Sequence, residues 1–438
     1  MNIPLDNLYH WIDSLAPGPA VLYVFQVHGS KKISDISVFK NKDDQIDYKV
    51  PGIFANDQEP LDWDFYEQPQ EYLNFWRQKN LNNSAWENQR NEFCSKFNLR
   101  SPIVLETSLI YDRVILIHSE KNSIDLAKYQ QNGFLCVHYW AHGIIARDWY
   151  RFAEHDARLT VNTQPKHKFL IYCRDWSHRR EYRLKFLELL VHNGLNRDSQ
   201  TSVMHVNSED VHFSQHQFKN TDFEMIDPES ILEIPTNTFS SSASADYTSQ
   251  DFVNSEISVV LETVFDDSRI HLTEKTLRPI ACGHPFILAA GPGALEYVRS
   301  YGFKTFAPWI DESYDQESNS LERLKKITSA MKQIQSLGGQ ELEEFRKAIK
   351  EIAEFNKKHF FSTEFFNTLT SELKNNLNRA YAEVTKTQGT HYLELLKLMK
   401  KQKNIFPRDG RAMRTQFLRQ LRLSCRDAQS SSQADLPA

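Results

Sequence analysis

Short apolar runs bounded by polar loops recur along the chain at spacings that fit strands alternating with helices. Residues 257–261 and 285–289 are two such runs, separated by about one helix of sequence, and each suits a strand buried on both faces. Together they predict a βαβ unit whose helix starts at Thr273, a residue that can accept a hydrogen bond from the first turn. Residues 169–172 predict a strand upstream, and 183–189 open an amphipathic helix. In the first third of the chain, strands are expected at 20–27, 52–56, 103–107, 114–118 and 134–139. Beyond Asp315 the pattern turns helical, with helices expected over 321–331, 341–355 and 365–384. The linker between the two α/β portions falls near 159–165, and no internal repeat is present.

The start of the 273 helix is where chemistry is expected. Main-chain N–H groups and the positive end of the dipole would face beyond the preceding strand, where an anion is the natural occupant. Lys275 in the first turn can bind a diphosphate, and Glu274 can accept two hydrogen bonds from a ribose diol. An isolated Thr-Glu-Lys is usually an ordinary surface Glu–Lys pair on a helix. Upstream, Arg179, Arg180 and Arg183 cluster in CRDWSHRREYR, and guanidinium forks match phosphate oxygens better than a lysine does. The polar loop 240–249 is placed to fold over a nucleotide.

Residues 168–310 resemble the donor-binding segment of the α-1,3-fucosyltransferases and related GT-B glycosyltransferases. The resemblance is carried by Glu262 at a strand end, then Thr273-Glu274-Lys275, then Gly283-His284-Pro285; the family has Phe-Glu-Asn where this chain has Leu261-Glu262-Thr263. It also matches Arg183 to a helix-start arginine that contacts the donor phosphates. What it implies is an α/β fold of two Rossmann-like domains facing a cleft, with additional C-terminal helices that cross back onto the first domain. The expected division is an acceptor domain at 1–162, a nucleotide-sugar donor domain at 163–315, packing helices at 316–396 and a tail at 397–438. The implied activity is inverting transfer of a sugar, GDP-linked by resemblance, to a hydroxyl on a glycan, lipid-linked or nucleobase acceptor. With Arg179 and Arg180 taken from the basic cluster, the expected donor-binding residues are Arg179, Arg180, Arg183, Glu262, Thr273, Glu274 and Lys275.

Sugar transfer requires stabilisation of the departing nucleoside diphosphate and removal of a proton from the acceptor. The one Asp-x-Asp, Asp62-Trp63-Asp64, lies far in sequence from the donor elements, whereas cationic residues are close to them; a metal-independent enzyme without cofactors is therefore expected. Base candidates follow strand ends in the first domain: Asp57 and Glu59 on a loop stiffened by Pro60, then Glu120. Tyr139, Trp140 and His142 have a composition suited to stacking an acceptor.

Composition supports a two-domain protein: 438 residues with 40% hydrophobic and 12% aromatic content supply more than one core. No run approaches a membrane span and the N-terminus lacks signal-peptide regions, so a cytoplasmic protein is expected. The five cysteines are scattered, without a C-x-x-C pair, and read as free thiols. Net charge is −5, which gives no global attraction for nucleic acid. The span 397–426 nevertheless carries ten Lys or Arg and one acid, Asp409, with apolar residues at helical spacing. It reads as a basic amphipathic helix for anionic lipid, nucleic acid or an acidic partner, which leaves a membrane-peripheral location open, or as a solvated helix on its own protein. Two other readings are a non-catalytic nucleotide- or sugar-binding module of the same architecture and a glycosyltransferase acting on modified DNA bases.

Overall fold

Among the described residues, two four-stranded sheets, both wholly parallel, give the chain an α/β, Rossmann-like character. The structure is a computed structural model and describes residues 2–18, 21–24, 52–61, 114–131, 134–160, 164–208, 210–236 and 243–387. The expected strand at 103–107, the Asp62-Trp63-Asp64 tripeptide, the basic segment 397–426 and part of the 240–249 loop lie outside the described residues.

The first sheet runs β1 (Val21–Val24), β2 (Gly52–Asn56), β3 (Val114–His118) and β4 (Phe134–His138), paired in chain order. It belongs to one compact unit, made of the described residues from 6 to 118, from 125 to 138 and from 373 onward. The second sheet belongs to the other unit, made of residues up to 5, 119–124 and 139–372. The chain thus passes between the two units several times, at 5/6, 118/119, 124/125, 138/139 and 372/373. From Leu373 on, the last described helix, α10 (Thr363–Thr387), serves the first sheet's unit: Asn376 Nδ2 donates to the His138 carbonyl at 2.7 Å and the Tyr381 hydroxyl to that of Gly18 at 3.1 Å.

The second sheet has strands β5 (His167–Cys173), β6 (Ser199–Val203), β7 (Ser255–Leu261) and β8 (Phe286–Ala289), in the spatial order β6-β5-β7-β8. From β5 the chain crosses through α4 (Tyr182–His192) to β6 on one side, returns, and from β7 crosses through α6 (Glu274–Cys282) to β8 on the other. The winding reverses between β5 and β7, and in such sheets the crevice at the carboxyl ends of the two strands flanking the reversal is where ligands bind. All seven residues of β7 are buried, as a strand covered on both faces requires. Each fully buried Ile, Val or Leu there stabilises the sheet by about 1.5–3 kcal/mol.

Helix α4 departs from the amphipathic pattern expected of it. Both its faces are covered, and the polar residues that would mark a solvent face, Lys185 and Glu188, pair with each other at 2.6 Å. Lys185 also donates to the Glu224 carbonyl, and Glu188 accepts the Asp227 N–H, so the excursion between β6 and β7 closes over the helix. On α6 pack α3 (Ala141–Trp149) and α9 (Gly339–Phe361). The expected helices after Asp315 are present as α8 (Ser320–Ser336), α9 and α10.

Candidate donor site

Helix α6 begins where β7 ends because one carboxylate ties them together. Glu262, 0% exposed, accepts through Oε1 from Thr273 N at 3.0 Å, Thr276 N at 3.2 Å and Thr276 Oγ1 at 2.6 Å. Through Oε2 it accepts from Thr273 Oγ1 at 2.8 Å and Thr263 N at 3.2 Å. Thr273 is the N-cap, as its sequence position predicts, and its hydroxyl accepts from Lys275 N at 3.4 Å. The anion at the helix start is therefore the protein's own: Glu262 satisfies first-turn donors that would otherwise face a ligand. It positions the site and does not line it.

Glu274 and Lys275 follow directly. Lys275 Nζ lies 3.0 Å from Glu274 Oε1 and 3.1 Å from Thr273 Oγ1, and its side chain keeps 29% exposure. Glu274 is buried, and its other oxygen faces His142 Nε2 at 3.8 Å. Burial opposes ionisation of Glu274, but Lys275, His142 and Arg278 outweigh it and hold the carboxyl well below the usual carboxylate range. Sequence reasoning missed Arg278 and Tyr150. Arg278 lies one turn after Glu274, a spacing at which opposite charges meet on a helix, and that was the available signal. Its Nε donates to the Tyr150 hydroxyl at 3.2 Å and its Nη2 to the Ser244 carbonyl at 3.2 Å, while Tyr150 donates to the same carbonyl at 2.6 Å. The 243–245 turn is thereby fastened to α6, and Arg174 adds a 3.4 Å contact to the Ser244 hydroxyl.

The three expected arginines have three different environments. Arg183 is buried, and its guanidinium donates to the carbonyls of Asp175, Leu261 and Glu262, bridging the carboxyl ends of β5 and β7. It holds the crevice together from beneath, so its expected phosphate contact is replaced by a structural one. Arg180 pairs with Asp175 at 3.1 Å, within a turn that Asp175 caps through Ser177. Arg179 is 38% exposed and, among the described residues, pairs with Asp266 at 3.8 Å, itself exposed, a pairing of small energetic value that an arriving anion can displace. Arg179, Lys275 and Arg180 all keep part of their side chains exposed, but Arg180 is paired with Asp175 at 3.1 Å.

Most of the expected acceptor residues are committed to the protein's own packing. Glu120 and Arg269, both at 0% exposure, form a buried pair with Nη1 at 3.0 and 3.2 Å from the two carboxylate oxygens. A carboxylate sealed against a guanidinium is a poor base. Asp57, also 0% exposed, accepts from the Tyr9 hydroxyl at 3.3 Å, while Gln58 Nε2 donates to that hydroxyl at 2.6 Å; Glu59 is half-buried. Tyr139 and Trp140 are core residues. Trp140 donates to the Leu272 carbonyl at 2.9 Å and packs on Tyr297, Tyr301, Phe303 and Phe365, so it offers no stacking platform. His142, the third member of that cluster, faces the Glu274 carboxylate instead.

The Gly283-His284-Pro285 turn has its own logic. Gly283 ends α6 at φ 69°, the left-handed conformation glycine tolerates best, and His284 N donates to the Pro279 carbonyl at 2.9 Å. His284 Nε2 lies 2.8 Å from the Ser255 carbonyl and Nδ1 2.9 Å from Ser258 Oγ, an arrangement satisfied by a neutral ring that donates from Nε2 and accepts at Nδ1. Burial pulls its pKa down to about 4, against the opposing effect of nearby carbonyls. An unfolded histidine titrates near 6.5, so between those values the unfolded chain binds the extra proton, and stability falls as pH falls from about 6.5 to about 4. We expect up to about 3 kcal/mol to be lost across that window and the slope to flatten in His284→Gln. Urea unfolding at pH 7 and pH 5 checks this; equal pH slopes in parent and variant would refute it.

Burial pushes the Cys173 thiol to about 11 and the Cys136 thiol to about 12, and raises that of Cys282 further, so these free cysteines are protonated at neutral pH. Among the described residues, no group of three or more His, Cys, Asp or Glu is arranged to hold a metal ion, and no helix is long and apolar enough to cross a membrane. No family model matches the chain, and no curated protein matches it.

Proposed function

We propose that the chain is a GT-B glycosyltransferase that uses a nucleotide-diphospho-sugar, with the donor at the carboxyl edge of the second sheet. The observation that carries this reading is the Glu274-Lys275 pair, set by Glu262 at the start of the helix that follows β7, the strand at the reversal of winding. Glu274 reads the ribose diol, and Lys275 with Arg179 neutralises the diphosphate as the sugar departs to the acceptor oxygen. Of the three candidate bases, Glu59 keeps the most exposure, Asp57 being fully buried on Tyr9 and Glu120 sealed against Arg269. The resemblance to α-1,3-fucosyltransferases favours an inverting reaction and a GDP-linked donor.

The same commitment of Asp57 and Glu120 favours a second reading, a nucleotide- or sugar-binding module without turnover. The two separate in one set of measurements. GDP and UDP are titrated against the purified chain by thermal shift, where a ligand at a hundred times its Kd adds roughly 2.7 kcal/mol, and donor hydrolysis or transfer is then assayed. Binding with turnover supports the transferase, binding alone supports the module, and failure to bind any nucleotide sinks both. Because Lys275 and Arg179 supply the positive charge, we expect transfer to persist in excess EDTA. Activity abolished by EDTA and restored by Mn²⁺ would overturn the metal-independent mechanism.

A further inference from the structure

We propose that residues 244–248 form a strap across the crevice between β5 and β7, clasped by the hydroxyls of Tyr150 and Tyr247, so that nucleotide enters and leaves when the clasps release. This rests on the reading above in one respect, that a nucleotide is what the crevice takes. The 243–245 turn touches both walls at once. On the β5 side, Arg174, the first residue beyond the strand, donates from Nη1 to the Ser244 hydroxyl at 3.4 Å. On the α6 side, the Ser244 carbonyl accepts from the Tyr150 hydroxyl at 2.6 Å and from Arg278 Nη2 at 3.2 Å. This anchorage stands on the helix start itself, since the Tyr150 hydroxyl also lies 3.5 Å from the Glu274 main-chain carbonyl. Three residues further on, the Tyr247 hydroxyl donates to Asp156 Oδ2 at 3.0 Å. Asp156 is a fixed acceptor, because Arg158 donates to its two oxygens from Nε and Nη2, each at 2.8 Å.

The burial pattern marks the strap as the part that moves. No residue from 244 to 248 is buried, so among the described residues polar contacts hold it, and segments held in this way open at a small fraction of the cost of global unfolding. Directly beyond it the chain is fastened. Helix α5 (Ser249–Asn254) begins on a buried serine, buries Phe252, and ties Asp251 to the Tyr172 hydroxyl at 2.7 Å and to Gln200 Nε2 at 2.6 Å. A loose stretch ending on a fixed point is the arrangement of a hinged lid. Tyr150 is itself immobile, fully buried where α3 ends.

The test measures association and dissociation of GDP and UDP on the full chain by surface plasmon resonance, with Kd, melting temperature and amide hydrogen exchange of 244–248 in parallel. The proteins are the parent, Tyr150→Phe, Tyr247→Phe and Tyr172→Phe. Each clasp variant keeps its ring and loses one hydrogen bond, so exchange in 244–248 and both rate constants are expected to rise about fivefold, with Kd nearly unchanged. A gate slows entry and exit alike, whereas loss of a ligand contact raises dissociation. Tyr172→Phe, which loses a bond beyond the hinge, is expected to match the parent in both rates. Rates unchanged in both clasp variants, a rise in dissociation alone, or equal acceleration in Tyr172→Phe each overturn the proposal and leave the functional reading standing. Tyr247→Phe carries the test if Tyr150→Phe fails to fold. A parent that binds neither nucleotide removes both.

Discussion

Lys275→Ala is expected to lower kcat and kcat/KM for sugar transfer together, by about 10²–10³, with the fold retained. The diphosphate gains charge as the sugar leaves, so a cation beside it contributes more in the transition state than in the ground state, and removal of one such preorganised group typically costs about that factor. Lys275 Nζ also neutralises the buried Glu274, so the variant will bind donor somewhat less well for a separate reason. Saturating donor removes the second effect and leaves the first. The measurement is kcat at saturating donor with Kd and melting temperature in parallel. If the variant binds donor and turns over like the parent while folded, the pair is an internal salt bridge and the assignment of the donor site fails.

Glu262→Ala is expected to destabilise the protein by about 4 kcal/mol or more, placing it among the most damaging single substitutions in the chain. Five hydrogen bonds end on this carboxylate, three from main-chain N–H groups and two from threonine hydroxyls. Each buried donor left without a partner costs about 1–3 kcal/mol, partly relieved if water enters or a hydroxyl rotates. Glu262→Gln should be milder, about 1–2 kcal/mol. Its amide oxygen can take the Oε1 position towards Thr273 N and Thr276 N, and the Thr273 hydroxyl can turn to accept, leaving the Thr263 N–H opposed to the new NH₂. Denaturant unfolding of the two variants gives the comparison. Equal stabilities for parent and Glu262→Ala would mean that the carboxylate does not organise the helix start.

The two substitutions act at neighbouring points on one short path from β7 to α6, yet through different physics. Glu262 is sealed from water and its energy is that of satisfied donors; Lys275 retains solvent access and its energy appears when a ligand's charge grows. A loss of activity in Glu262 variants is therefore expected to track loss of fold, whereas in Lys275 variants it is not.

What the sequence determined by itself is local. The apolar runs at 257–261 and 285–289, the cap at Thr273 and the glycine after the helix define strand, helix and strand, because the interactions behind them span only a few residues. The strands at 52–56 and 114–118 were legible for the same reason. Only the tertiary structure decided which polar groups remain available for chemistry. Arg183 begins its helix where expected, but the returning chain buries it and the ends of β5 and β7 present three carbonyls to its guanidinium. Trp140 follows a strand as an acceptor platform would, and it is covered by rings from residues 297–303 and 365, more than 150 positions away. Glu120 is sealed against Arg269, while His142 faces Glu274. The physical reason is the same throughout: strand and helix preferences are written in neighbouring residues, whereas the fate of a charge depends on whether a distant segment brings it water, a counter-charge or a carbonyl.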